Sequence, residues 1–126
     1  MSLVIIAAKN IEDALKLSRK QKMNLVVERR KLGDFLYDFR ENFLHYDYYY
    51  KFDPYMDIYL DTTSVNYIKG FANSILKWLD NDSVDENKLI EKYNLSLRAI
   101  RDFAKNLDRV CDFAIQHNCG LVGLGD

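Results

Sequence analysis

The chain predicts an α+β fold, mainly helical, with four or five helices set against a few short strands. Three observations carry this expectation. Apolar runs of strand length lie near both ends, at 3–8 and 121–124. Between them, apolar stripes recur at three- and four-residue spacing. Proline occurs once, at position 54, so little else in the chain interrupts a helix. The length of 126 residues suits one domain, and without linker, repeat or low-complexity stretch we expect 1–126 to form a single globular unit.

Residues 3–8 are rich in β-branched side chains and read as the first strand. Asn10 can cap the following helix, in which Ile11, Ala14, Leu15 and Ser18 share a face. Residues 24–28 read either as a second strand, completing a small β-α-β start, or as helix continuing from Met23. So short a run fits both periods. Leu32, Phe35, Leu36, Phe39 and Phe43 predict an amphipathic helix over 31–45. After Pro54, Met56, Ile58 and Leu60 alternate with Asp57, Tyr59 and Asp61 as a half-buried strand does.

Thr62 or Thr63 is expected to cap the next helix, whose stripe is Val65, Ile68, Phe71, Ala72, Ile75, Leu76 and Leu79. Gly70 within it weakens the helix slightly or admits another backbone. Residues 80–83 form a turn, and Ser83 with Glu86 reads as a capping box for a short helix ending at Tyr93. Ser96 caps a long helix bearing Leu97, Ile100, Phe103, Ala104, Leu107, Val110, Cys111, Ala114 and Ile115, ended by Asn118 and Gly120. The tail adds a short last strand. The core should draw on Leu36, Phe39, Phe43, Ile68, Phe71, Ile75, Leu79, Ile100, Phe103, Leu107 and Cys111.

Eighteen basic and 19 acidic side chains leave a net charge of -1, which excludes a uniformly basic nucleic-acid binder. The balance is uneven along the chain. Residues 1–30 carry a net +4 and residues 31–61 a net -4. No apolar run approaches the roughly 20 residues of a membrane-spanning helix. No basic residue precedes the first apolar run, and Lys9, Glu12 and Asp13 follow it, unlike a signal peptide; we expect a cytoplasmic protein. Cys111 and Cys119 do not make a disulfide scaffold, and with His45 and His117 they lack paired metal-ligand spacing. No metal or cofactor is expected.

Six of the nine tyrosines lie between Tyr46 and Tyr59, interleaved with Asp47, Asp53 and Asp57. Tyrosine offers a large amphipathic surface at little rotamer cost, and carboxylates among such rings suit a basic partner. The candidate partner-binding residues are Tyr46, Asp47, Tyr48, Tyr49, Tyr50, Asp53, Tyr55 and Asp57, with Tyr48, Tyr49, Tyr50 and Tyr55 as anchors. The expected function is a non-catalytic protein-binding module that occludes a basic partner such as a nuclease toxin. An immunity- or antitoxin-like inhibitor is its most concrete form.

Residues 86–107 give an alternative. A short helix, a turn at 94–96 and a second helix place Leu89, Tyr93, Leu95, Ile100 and Phe103 where a helix-turn-helix buries apolar residues. Ile90 stands where that motif usually has a small residue. The segment resembles the helix-turn-helix of DNA-binding proteins. That resemblance implies a DNA-binding regulator with Ser96, Arg98, Arg101 and Lys105 facing the major groove and phosphates. Arg40 and His45, five apart, also resemble the catalytic pair of HEPN ribonucleases, which implies an RNA-cleaving helical bundle. The residues show no phosphate-cradling glycine loop or nucleophile elbow.

Overall fold

Alternate residues of the first strand enter two different cores, and this sets the layers. In the computed structural model, which describes residues 2–20 and 24–125, β1 (Ser2–Ala8) sends Leu3, Ile5 and Ala7 into the main core. Ile6 and Ala8 point to the opposite face, where α1 (Ile11–Lys20) covers them with Ala14, Ile11 and Leu17. Period-two alternation in a strand packed on both faces has this result. Asn10 caps α1 as expected, its side-chain oxygen accepting the Asp13 N–H at 2.8 Å.

Residues 24–28 resolve as strand. β2 (Leu25–Arg29) pairs antiparallel with β1, placing Leu25 opposite Ile6 and Glu28 opposite Leu3. Met23, where the competing helix would begin, lies outside the described residues. The β-α-β start is therefore antiparallel, the chain re-entering the sheet at the end it left. β3 (Ile58–Leu60) and β4 (Gly120–Leu124) complete a four-stranded sheet of order β2-β1-β4-β3, antiparallel throughout. The tail strand is thus central rather than peripheral.

The main core fills the space between this sheet and two long helices, α4 (Thr62–Leu79) and α6 (Leu97–Gln116). The fold class is as expected, α+β and mainly helical. Six α-helices occur among the described residues rather than four or five, because the predicted helix over 31–45 is divided. α2 (Arg30–Asp38) stops early, a 3-10 turn covers Arg40–Asn42, and α3 (Tyr46–Tyr49) follows. Arg40 donates to the Tyr37 carbonyl at 2.7 Å and Asn42 to the Phe39 carbonyl at 3.2 Å. Side chains that bond local carbonyls compete with the helical ladder. His45 then takes a left-handed conformation at φ 58, and its ring lies 3.1 Å from where a Cβ on Gly70 would stand. Gly70 therefore admits a histidine ring, not a backbone.

Other local corrections share one cause: a nearer side chain wins the cap. Asp61, not Thr62 or Thr63, caps α4 by accepting the Ser64 N–H at 3.0 Å. Asp85, not Ser83, caps α5 (Glu86–Tyr93), and Glu86 instead accepts the Leu97 N–H at 2.8 Å at the start of α6. Each such cap stabilises by about 1 kcal/mol. Ser96 caps α6 as expected, while its C-cap is His117; Asn118 follows in the left-handed conformation, and Gly120, expected to help end the helix, opens β4 instead. The predicted strand over 56–61 shortens to β3, because Asp53 accepts the Tyr55 N–H and folds 53–56 into a turn, leaving Met56 exposed, and Asp61 is taken as the cap of α4. Every expected core residue is buried except Phe39, which is half-buried at the end of α2 against Phe35 and Trp78. Leu15 and Ile115, assigned to apolar stripes, face outward.

Candidate functional site

The tyrosine-rich segment follows the break at His45, and its rings divide by depth. Tyr49 is buried, stacked on Phe71 at 4.6 Å between ring centres, and belongs to the core rather than to a partner surface. Tyr46 and Tyr48 are half-buried; Tyr48 lies flat on Tyr67 at 4.1 Å, an offset arrangement favoured by aromatic pairs. Only Tyr50 and Tyr55 of the four anchors stand out from the surface. Asp47 is exposed, Asp53 is used by its turn, and Asp57 is exposed while accepting the Gly125 N–H at 3.1 Å. Two of the four expected anchors are therefore exposed, and Tyr37 of α2 lies 6.1 Å from Tyr50.

Beneath Tyr50 and Tyr55 lies a cavity of about 350 Å³, walled by Tyr37, Tyr46 and Phe52 and floored by Tyr49 and Glu28. The reading of the sequence missed Glu28. Its signal was available: Glu28 follows the buried Val26 by two, so strand alternation turns it inward, opposite buried Leu3. Gly33 makes room for it. A Cβ there would stand 2.8 Å from Oε1 of Glu28, so the carboxyl packs directly onto α2. Arg29 and Asp34 line the same cavity.

Burial pushes the Glu28 carboxyl up to about 7; the Tyr49 phenol offsets part of the rise and the Asp34 charge adds to it. The Tyr49 hydroxyl is raised in turn by burial and by Glu28. That hydroxyl lies near enough to the carboxyl to interact with it, yet makes no hydrogen bond of good geometry. Tyr46 is likewise raised, by burial first and then by Glu28. Both phenols and the carboxyl therefore hold their protons more tightly than in water. A carboxyl titrating near neutrality inside a cavity can take up or release a proton on ligand binding.

The helix-turn-helix segment adopts part of the expected geometry. Asn94 is left-handed at φ 55 between α5 and α6, and Leu89, Tyr93, Ile100 and Phe103 are buried. Ile90, at the position for a small residue, faces solvent. Arg98 and Lys105 are exposed, Arg101 is half-exposed, and Ser96 is occupied as a cap. α6 packs along α4 over most of its length, with Lys69 of α4 held between Asp108 and Asp112 at 2.6 and 2.7 Å.

Arg40 and His45 line one open depression with Tyr37, Tyr46 and Tyr50, a juxtaposition that a continuous helix would not give. The Arg40 guanidinium lies 4.1 Å over the Tyr37 ring, and His45 packs on Tyr67 at 5.0 Å. Both side chains are thus engaged by tyrosines. Cys111 is fully buried, and burial, with the nearby Asp108 charge, pushes its thiol up to about 12, which makes it inert packing.

No protein-family model, curated protein or solved structure matches the chain. No described helix is long and apolar enough to cross a membrane.

Proposed function

We propose that the chain is a non-catalytic protein-binding module that captures a basic partner through the surface around the tyrosine-lined cavity. Its most concrete form is an immunity- or antitoxin-like inhibitor that occludes a nuclease toxin, acting in the cytoplasm. One observation carries the reading. The four most exposed large apolar side chains of the described residues are Leu44 (61%), Tyr50 (63%), Tyr55 (64%) and Met56 (57%), all within thirteen positions of sequence. Exposed aromatic and methionine side chains concentrated in one segment suit an interface, and the net -4 of residues 31–61 suits a basic partner.

A photo-crosslinking residue at position 50 or 55 should give one discrete protein adduct in cells. The purified partner should then bind Tyr50→Ala and Tyr55→Ala variants roughly thirtyfold more weakly, with circular dichroism unchanged. Undiminished affinity in both variants overturns the reading. A DNA-binding regulator is the second reading, favoured by left-handed Asn94 and by Arg98 and Lys105 exposed on α6. It requires salt-dependent duplex binding that is lost in the Arg98→Ala, Arg101→Ala double variant.

A further inference from the structure

We infer that the tyrosine-lined cavity is a receptor for one lysine-type cation, an ammonium on an apolar stem, held by the Glu28 carboxylate and the Tyr49 hydroxyl among the rings of Tyr37, Tyr46 and Tyr50. The inference deepens the proposed binding role and rests on it for the natural occupant, a lysine of the basic partner. Five observations support the site itself.

Its floor holds two polar groups short of partners. Among the described side chains, which do not include that of Arg30, no ion pair involves Glu28, and the buried Tyr49 hydroxyl makes no hydrogen bond of good geometry. Groups buried in this way are costly unless satisfied. An ammonium brings three donors and no acceptor, so it can serve both oxygens at once. An anion would be repelled by Glu28. A neutral donor would leave the charge uncompensated.

One ring of the cavity wall already accepts a cation: Arg40 lies 4.1 Å over Tyr37. The negative faces of tyrosine attract such charges. About 350 Å³ is at the small end for ligand pockets, enough for a side chain rather than a large cofactor.

The carboxylate favours a point charge over a planar fork. With Oε1 of Glu28 only 2.8 Å from where a Cβ on Gly33 would stand, α2 crowds one oxygen of the carboxylate, which suits a point charge better than the bidentate contact that guanidinium prefers. The charges facing the cavity also suit a monocation. β1 contributes Ser2 and Leu3, β2 contributes Arg29 as well as Glu28, α2 contributes Asp34 and Tyr37, and α3 with the turn after it contributes tyrosines, Phe52 and Pro54 but no charge. Ionised Glu28 and Asp34 against Arg29 leave one negative charge. A bound ammonium favours the charged carboxylate, so it should draw the proton off Glu28.

The test uses N-acetyl-lysine methylamide, with the neutral norleucine and the arginine counterparts as controls. Chemical shifts of the Glu28 carboxyl and of the Tyr49 ring are followed by NMR. The lysine compound should saturate in the millimolar range, and the titration midpoint of Glu28 should fall when it is bound. Glu28→Gln should weaken binding about tenfold or more, and Tyr49→Phe a few-fold, with the helical spectrum retained. Equal binding of norleucine, tighter binding of arginine, unchanged affinity in Glu28→Gln or absence of saturation by roughly 100 mM each overturns the assignment. The midpoint shift is read on the unmodified protein, so a variant that fails to fold does not remove the test. If the compound binds while Tyr50→Ala and Tyr55→Ala leave partner capture intact, the cavity stands and the docking surface falls. If partner capture depends on those tyrosines but the lysine compound fails, the reverse holds.

Discussion

Lys69 and Glu28 are charged side chains set against the same core, and their surroundings differ completely. Lys69 leaves α4 and meets Asp108 and Asp112 of α6 at 2.6 and 2.7 Å, while Asn73 donates to Asp108 at 2.8 Å. Burial alone would lower its pKa, but the hydrogen bonds and charges of the two aspartates outweigh it and the ammonium is held above its usual value. Glu28 sits deeper, with no such partner, and burial pushes it the other way, toward its neutral form. A charge completed within the fold needs nothing from outside. A charge left incomplete beneath exposed tyrosines can be completed by a ligand, and this separates scaffold from candidate site.

The largest expected effect breaks the Glu28 side of the comparison. Its carboxyl rises from 4.5 to about 7, so between those pH values the native state keeps a proton that the unfolded chain has released. Stability contributed by that proton is therefore complete below about pH 4.5, declines up to about pH 7 and is absent above it. Glu28→Gln should raise unfolding free energy by up to about 3 kcal/mol at pH 8 and by almost nothing at pH 4. Urea denaturation at the two pH values measures this. Equal stability of both proteins at pH 8 would mean that Glu28 is solvated or paired in solution.

Lys69→Met keeps the aliphatic stem and removes the charge. It should cost between about 1 and 2 kcal/mol, since Asp108 and Asp112 are left facing one another, and the loss should shrink in high salt. The side chain is 34% exposed, which keeps the figure below that of a fully buried pair. A loss that ignores salt would show that packing, not charge, joins α4 to α6.

The two sides were not equally legible. The stripes of α4 and α6 name their own buried faces, because Ile68, Phe71 and Ile75 or Ile100, Phe103 and Leu107 repeat with the helix, and no distant residue has to be known. The tyrosine segment offers no such period. Which of Tyr48, Tyr49 and Tyr50 goes inward depends on the left-handed turn at His45, and that turn depends on Gly70, twenty-five residues on, leaving space for the imidazole. Composition marked the segment as unusual without ranking its rings. Glu28 was legible in principle from Val26. Its placement beside Tyr49 was not, because that joins β2 to α3 through a tertiary contact alone.

The smallest effects come from a pair of tyrosines that repeats the contrast. Tyr93 of α5 donates its hydroxyl to Asp38 at 2.5 Å, and burial, then that bond, pushes its pKa up to about 12. Tyr49 carries the same hydroxyl into the core without a partner. Tyr93→Phe should lose about 1 kcal/mol, less than a hydrogen bond to a buried charged acceptor is worth, because Asp38 is 42% exposed. Tyr49→Phe should lose nothing and gain up to about 1 kcal/mol, since it removes a buried polar atom that no group satisfies. The ring itself, stacked on Phe71 at 4.6 Å, is unchanged by either logic. If Tyr49→Phe instead costs as much as Tyr93→Phe, its hydroxyl reaches Glu28 in solution, and the floor of the cavity is already closed to a cation. Opposite signs in the two variants would leave that floor open, with the energetic reason for a ligand to occupy it.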